Sequence, residues 1–260
     1  MKHIKKKYSY QEKITKELEK KIEEKGEVVE AYNQDFIKKS KKKDLFIRTD
    51  EDYLIKGFAY KKGNKIALIP IPDLSLVYFD SAYNLNELRK EKEKDFFKKR
   101  IIKDGKLGED ATNEIYRYYG YASSCIISMF TAMECFINFI LPENKEYIKV
   151  IPNKRTENYT KEQIQKVIPF DEKKNKVLPY FFDGKSFFKN QTKHTQHLNN
   201  LKELRNEIVH PKTEDSFRKQ EKLIRKLIDF KYDETFEALS VFMNFYKKGF
   251  VIECDCGVDY

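Results

Sequence analysis

The sequence predicts a mainly α protein, in which an antiparallel helical bundle follows a small N-terminal α+β region. Apolar residues recur at helical spacing over most of residues 106–260, and short segments typical of strands lie between residues 44 and 80. Hydrophobic residues make up 40% of the 260 residues, which suffices for a packed core. We therefore expect an N-terminal basic region over residues 1–105 and a helical bundle over residues 106–260, with an irregular insertion at about 142–191.

The charge of the chain is basic and uneven. There are 52 Lys and Arg residues against 42 Asp and Glu, and residues 1–43 hold 14 lysines against 8 acids, a net +6 of the total +10. A basic balance favours an anionic partner. The lysine runs at residues 5–7 and 38–43 are typical both of an arm that follows phosphates and of solvated surface, and the sequence favours neither interpretation.

The N-terminal region combines an amphipathic helix with short strands. Ile14, Leu18 and Ile22 are spaced four apart and predict one apolar helix face, either of an amphipathic surface helix or of half of a helical hairpin. Strands are predicted at residues 45–47, 53–60 and 65–69, with a further one at Ser75–Phe79. Gly63 and Asn64 lie between two of these strands and predict a hairpin turn.

The N-terminal region is expected to end with a charged helix over Asn84–Lys103. A long helix follows. We expect Asp110 or Thr112 to cap its start, and we expect it to end near Leu141, because Pro142 cannot continue it.

Two polar residues, Glu134 and Asn138, interrupt the apolar half of this long helix and share a face, because they are one turn apart. A buried carboxylate is costly without a partner, and we expect Arg205 to be that partner. The alternative is that Glu134 meets water at an edge. The interruptions also favour a buried bundle helix over a membrane span, so no membrane partner is expected.

The insertion at about 142–191 contains four prolines and one predicted short helix, Thr160–Val167, which Thr160 and Gln163 open as a capping box. It also contains a cluster of aromatic residues: Tyr180, Phe181, Phe182, Phe187 and Phe188. Such rings can stack on bases, but they more commonly anchor a loop to the body of a protein, and we favour the latter.

Three further helices are predicted after the insertion. The first begins at Thr192 or Thr195, and the others span Ser216–Phe230 and Asp233–Lys248. Their apolar spacing assigns these residues to the core: Phe217, Leu223, Leu227, Ile228, Phe236, Leu239, Met243 and Phe245.

The segment Leu201–Lys212, with the sequence LKELRNEIVHPK, contains the candidate catalytic residues. Arg205 lies five positions before His210, and Pro211 disfavours helical backbone at the histidine, so the helix should end at or just before His210. An imidazole transfers protons near neutral pH, and a guanidinium binds phosphate with paired donors. Together they could catalyse attack by a ribose 2′-hydroxyl. Alternatively, Arg205 caps its helix or pairs with Glu207, and His210 is only a helix cap.

The residues LRNEIVHP closely resemble the Arg-Asn-x-x-x-His signature of the HEPN superfamily of helical domains, with Arg205, Asn206 and His210 at its three polar places. The resemblance implies a metal-independent endoribonuclease that works as a homodimer, with both motifs in one cleft and RNA as substrate. It implies catalytic roles for Arg205, His210, Asn206 and Glu134, and leads us to expect substrate binding by Lys212 and Asn138.

The same resemblance implies a toxin or phage-defence effector with an antitoxin or regulatory protein as a further partner. A non-catalytic module that binds RNA or a nucleotide is the alternative. One branch of the family carries a tyrosine two places after the histidine, where nucleotide transfer inactivates the enzyme. Lys212 stands at that position, so this control is not expected.

Cysteine and histidine spacing predicts no metal site and no cofactor. The four cysteines form no C-x-x-C pair, and His194 and His197 have no further ligands at a fixed spacing. No signal peptide opens the sequence, so we expect a reduced, cytoplasmic setting.

Overall fold

The computed structural model describes residues 3–29, 44–98, 102–103, 106–151, 155–211 and 217–254. The helices are α1 Lys16–Lys25, α2 Leu74–Lys98, α3 Glu109–Ile140, α4 Lys161–Val167, α5 Phe170–Glu172, α6 Leu178–Phe181, α7 Lys193–Val209, α8 Phe217–Asp229 and α9 Tyr232–Tyr246. The strands are β1 Gln11–Lys13, β2 Gly26–Val29, β3 Asp44–Arg48, β4 Tyr53–Lys62, β5 Lys65–Pro70, β6 Ile102–Lys103, β7 Lys106–Leu107, β8 Tyr147–Ile151 and β9 Arg155–Tyr159. The predicted class, mainly α with an N-terminal α+β region, is confirmed.

Contacts among residues divide the chain into two compact units. One unit comprises residues 6–77, and the other comprises residues 1–5 together with residues 78–260. The predicted regions, residues 1–105 and 106–260, do not coincide with these units. The division at residue 105 therefore stays a prediction.

In the described part of residues 6–77, helix α1 packs on a small sheet. Its strand order is β1-β4-β3-β2, and β5 pairs with the later part of β4. Leu18 and Ile22 of α1 pack against Phe46 and Leu54 of the sheet, which confirms the predicted amphipathic helix. The β4–β5 hairpin turns at Gly63, whose φ of 60° suits glycine because it lacks a Cβ atom.

Helix α2 begins where a strand was expected. The predicted strand Ser75–Phe79 is wrong, because Asp73 starts a helix at Leu74. The Asp73 carboxylate accepts hydrogen bonds from the backbone N–H groups of Ser75 (2.9 Å) and Leu76 (3.3 Å), which is the geometry of an N-cap. The helix predicted over Asn84–Lys103 therefore begins ten residues earlier and ends at Lys98.

The core of the larger unit lies among α3, α7 and α9. Helix α7 packs on both α3 and α9, and α3 also contacts α8 and α9. Helix α3 is long and apolar enough to cross a membrane by length and composition, but its apolar side is already buried against these helices. The largest buried side chains of this core include Tyr118, Met129, Met133, Phe136, Ile137, Phe236 and Phe242.

The segment at 142–191 contains more regular structure than the single helix that was expected. Strands β8 and β9 form an antiparallel hairpin, and a π-helical turn at Lys173–Val177 joins α5 to α6. The Thr160–Gln163 capping box is confirmed. The aromatic residues Phe182, Phe187 and Phe188 contact rings of α9, so the favoured interpretation of an anchored segment is confirmed.

Several local details differ from the predictions. The N-cap of helix α3 is Gly108, two residues before the predicted cap Asp110, and no side chain caps the helix. Phe217 and Phe245 were assigned to the core, yet they are 74% and 47% exposed. Helix α8 buries only Leu227, so its first half lies on the surface.

Candidate functional site

Helix α7 holds the Arg-Asn-x-x-x-His motif and ends where Pro211 predicted. Thr192 caps its start in a capping box with Thr195, and Val209 is its last residue. His210 is the C-cap, with φ −122° and ψ 63°, and its backbone N–H donates to the Asn206 carbonyl oxygen at 2.9 Å. The imidazole is therefore carried on an exposed helix end.

A groove runs between α7 and α8, and His210 opens into it. One hollow of about 640 Å³ is lined by His210, Asn206, Glu207 and three lysines of α8: Lys219, Lys222 and Lys226. A second hollow of about 410 Å³ shares Lys222 and Lys226 with the first. We call the two adjoining hollows the α7–α8 groove. These lysines were not predicted as functional residues, although their spacing on a helix places them on one shared face.

Arg205 lies on another side of α7. Its guanidinium stacks over the Phe130 ring of α3, with Cζ 4.9 Å from the centroid, and Nη1 donates to Asn206 Oδ1 at 3.1 Å. Arg205 is not among the described residues that line the groove. Arg205 also forms no ion pair with Glu207 in the described chain. Glu207 instead accepts a hydrogen bond from Lys226. Asn206 thus links the guanidinium to the groove.

The expected ion pair between Glu134 and Arg205 does not form among the described residues. The Glu134 carboxylate instead lies close enough to Lys173, in the π-helical turn, to interact electrostatically with that lysine. Burial lowers the pKa of the Lys173 ammonium, and the Glu134 carboxylate partly offsets that effect. Lys173 Nζ also donates to Asn138 Oδ1 and to the Gln165 carbonyl oxygen, each at 3.1 Å. The two polar residues of α3 therefore face a buried lysine rather than the motif arginine.

The same segment is tied to α7 through charged groups. Lys174 Nζ donates to Asn199 Oδ1 at 2.7 Å and lies 4.7 Å from the Phe188 ring centroid. Asp171 forms an ion pair with Lys202, which lowers the pKa of the Asp171 carboxyl group. These contacts fix the segment against the helix that carries the motif.

Replacing Lys173 with Met should destabilise the protein. The change leaves the Asn138 amide oxygen and the Gln165 carbonyl oxygen without their donor and removes the positive charge near Glu134, so the free energy of unfolding should fall by about 2 to 3 kcal/mol. Urea denaturation measures this change. Lys176→Met, at an exposed position of the same turn, is the control and should change stability by less than about 0.5 kcal/mol.

A double-mutant cycle tests the specific pairing. Lys173→Met combined with Glu134→Gln should cost less than the sum of the single variants, because the second change removes the orphaned charge. Strict additivity would show that Glu134 and Lys173 are not partners.

Lys212, which was predicted to bind substrate, lies outside the described residues. The other predicted site residues fall into two groups. Asn206 and His210 meet at the groove with Arg205 behind Asn206, whereas Glu134 and Asn138 meet at Lys173. Among the described residues, only Asn206 forms a hydrogen bond with the Arg205 side chain.

The fold and the groove define a mainly helical protein with a basic cleft beside a helix-terminal histidine. Comparison with protein-family models, with curated proteins and with solved structures finds no match to this chain.

Proposed function

We propose that this protein is a metal-independent RNA endonuclease of the HEPN type, built on a HEPN-like antiparallel helical bundle. One observation carries the proposal: the exposed His210 lines a basic groove together with Asn206, whose side chain accepts a hydrogen bond from the motif arginine. A buried and sealed imidazole would have argued against it. In this groove an entering polyanion meets both an acid–base group and positive charge.

The proposed reaction needs only side chains and the RNA itself. His210 accepts the proton of a ribose 2′-hydroxyl, whose oxygen attacks the adjacent phosphorus. The bond from phosphorus to the 5′-oxygen breaks, and a protonated imidazole supplies a proton to that leaving oxygen. Arg205 stabilises the charged phosphorane, and Asn206 orients the guanidinium. The products are a 2′,3′-cyclic phosphate and a 5′-hydroxyl.

We propose that the active form is a homodimer. Arg205 stacks on Phe130 and does not line the groove in the described part of one chain. Two motifs that face one cleft would supply two imidazoles, one to accept a proton and one to donate it, and a guanidinium beside the scissile phosphate. Sedimentation at several protein concentrations measures the dimer.

Arg205→Ala should lower RNA cleavage by about 100-fold or more, because the phosphorane loses its charge-matched donor. The assay follows a labelled single-stranded RNA and identifies the end groups of the products. A matched oligonucleotide with 2′-deoxyribose at the cleaved position should resist the wild-type enzyme. Cleavage of that oligonucleotide, or equal rates for wild type and Arg205→Ala, would refute the proposed chemistry.

The biological role that fits this activity is a cytoplasmic toxin or phage-defence effector, restrained by an antitoxin or regulatory protein. Support comes from the motif resemblance and the basic charge of +10, which suits an acidic inhibitor as well as RNA.

The alternative function is a module that binds RNA without cutting it. The exposed basic face of α8 favours binding of either kind. RNA binding with no cleavage would favour the module.

A further inference from the structure

The outer wall of the α7–α8 groove is a row of lysines. Lys219, Lys222 and Lys226 stand at positions i, i+3 and i+7 of α8 and all line the hollow that contains His210. Seven residues of helix correspond to about 10 Å, so the row extends along the groove. Lys222 lines both hollows and makes no hydrogen bond or ion pair with the described part of the chain.

A carboxylate opposes this row from the other wall. Glu207 of α7 accepts a hydrogen bond from Lys226 Nζ at 2.5 Å, and each side chain is about two-fifths exposed. This ion pair engages Lys226, and Glu207 adds a negative charge to the groove. A phosphate that enters must compete with Glu207 for Lys226, whereas Lys222 forms no ion pair within the described residues.

We propose that the lysine row of α8 binds the phosphate backbone of single-stranded RNA, with Lys222 as the principal contact and Glu207 as a competitor that weakens binding at Lys226. The inference deepens the proposed function by naming the residues that hold the substrate, and it rests on RNA being the ligand. The groove is open and basic, and its positive charges follow a line, which matches a chain of phosphates better than a single small anion.

The test measures the affinity of a labelled single-stranded RNA at several salt concentrations, in a His210→Ala background that prevents cleavage. Lys222→Gln should weaken binding roughly five- to tenfold at low salt and flatten the slope of log K against log salt by about 0.7, because one phosphate contact is lost. Glu207→Gln should act in the opposite direction. It should tighten binding and steepen the slope, since Lys226 is released and a repelling charge is removed.

Arg218→Gln is the matched control, because it makes the same charge change on the same helix at an exposed position outside the described lining of either hollow. It should leave affinity and slope within twofold of the parent. Tighter RNA binding by the Glu207→Gln variant cannot result from misfolding. If Lys222→Gln matches Arg218→Gln, or if Glu207→Gln fails to tighten binding, the inference is overturned.

The outcomes separate this inference from the proposed catalysis. Cleavage by wild type, together with unchanged binding in Lys222→Gln, overturns the lysine row and leaves the nuclease intact. The predicted binding changes without any cleavage by wild type support the lysine row and overturn the nuclease.

Discussion

His210→Ala should lower RNA cleavage by about 10²- to 10⁴-fold, the range that general acid–base catalysis supplies. The loss of RNA cleavage should result from the missing proton-transfer group and not from unfolding of the protein. The imidazole is exposed, and the hydrogen bond that ends α7 is made by the backbone N–H of residue 210, which alanine keeps. We therefore expect a change in the free energy of unfolding below about 0.5 kcal/mol.

Single-turnover cleavage of a labelled RNA, with urea denaturation of the same samples, separates the two effects. His194→Ala is the matched control, because it removes a histidine from the same helix at a position that lines neither hollow in the described chain. It should cleave at the wild-type rate. Equal rates for His210→Ala and wild type, or an equal loss in both variants, would rule out a catalytic imidazole at position 210.

Arg89→Ala should be the most destabilising of the substitutions considered. Arg89 is 5% exposed and donates to Glu93 Oε2 at 2.7 Å and to Asn86 Oδ1 at 2.9 Å, and its guanidinium lies 4.0 Å from the Tyr232 ring centroid. Asn86 is also fully buried and donates to Asp233 of α9. Removal of Arg89 leaves a carboxylate and a buried amide oxygen without their donor.

We expect Arg89→Ala to lower the free energy of unfolding by about 3 kcal/mol, near the lower bound for breaking a buried pair, because Glu93 is partly exposed. The melting temperature should fall by roughly 6 to 10 °C. Arg117→Ala removes an arginine from a more exposed ion pair with Glu114 and should cost less than about 1 kcal/mol. Similar losses in the two variants would mean that the Arg89 network does not hold α2 to α9.

The ends of helices and the position of a turn could be predicted from the sequence where they depend on residues that are close together in the chain. Pro211 placed the end of α7, a capping box placed the start of α4, and Gly63 placed a hairpin turn, because each depends on backbone geometry within a few residues. Asp73 is an N-cap of the same local kind, and the adjacent apolar residues were mistaken for a strand.

Only the tertiary structure decided which side chains meet. The sequence determined that α7 carries Arg205, Asn206 and His210 and ends at the histidine, but not which neighbour each would face. Lys173 donates a hydrogen bond to Asn138 and lies near Glu134 because the segment after residue 142 folds back on α3, whereas Arg205 stacks on Phe130. Such pairings depend on long-range packing and on the burial cost of each charge, which residue spacing along one helix does not encode.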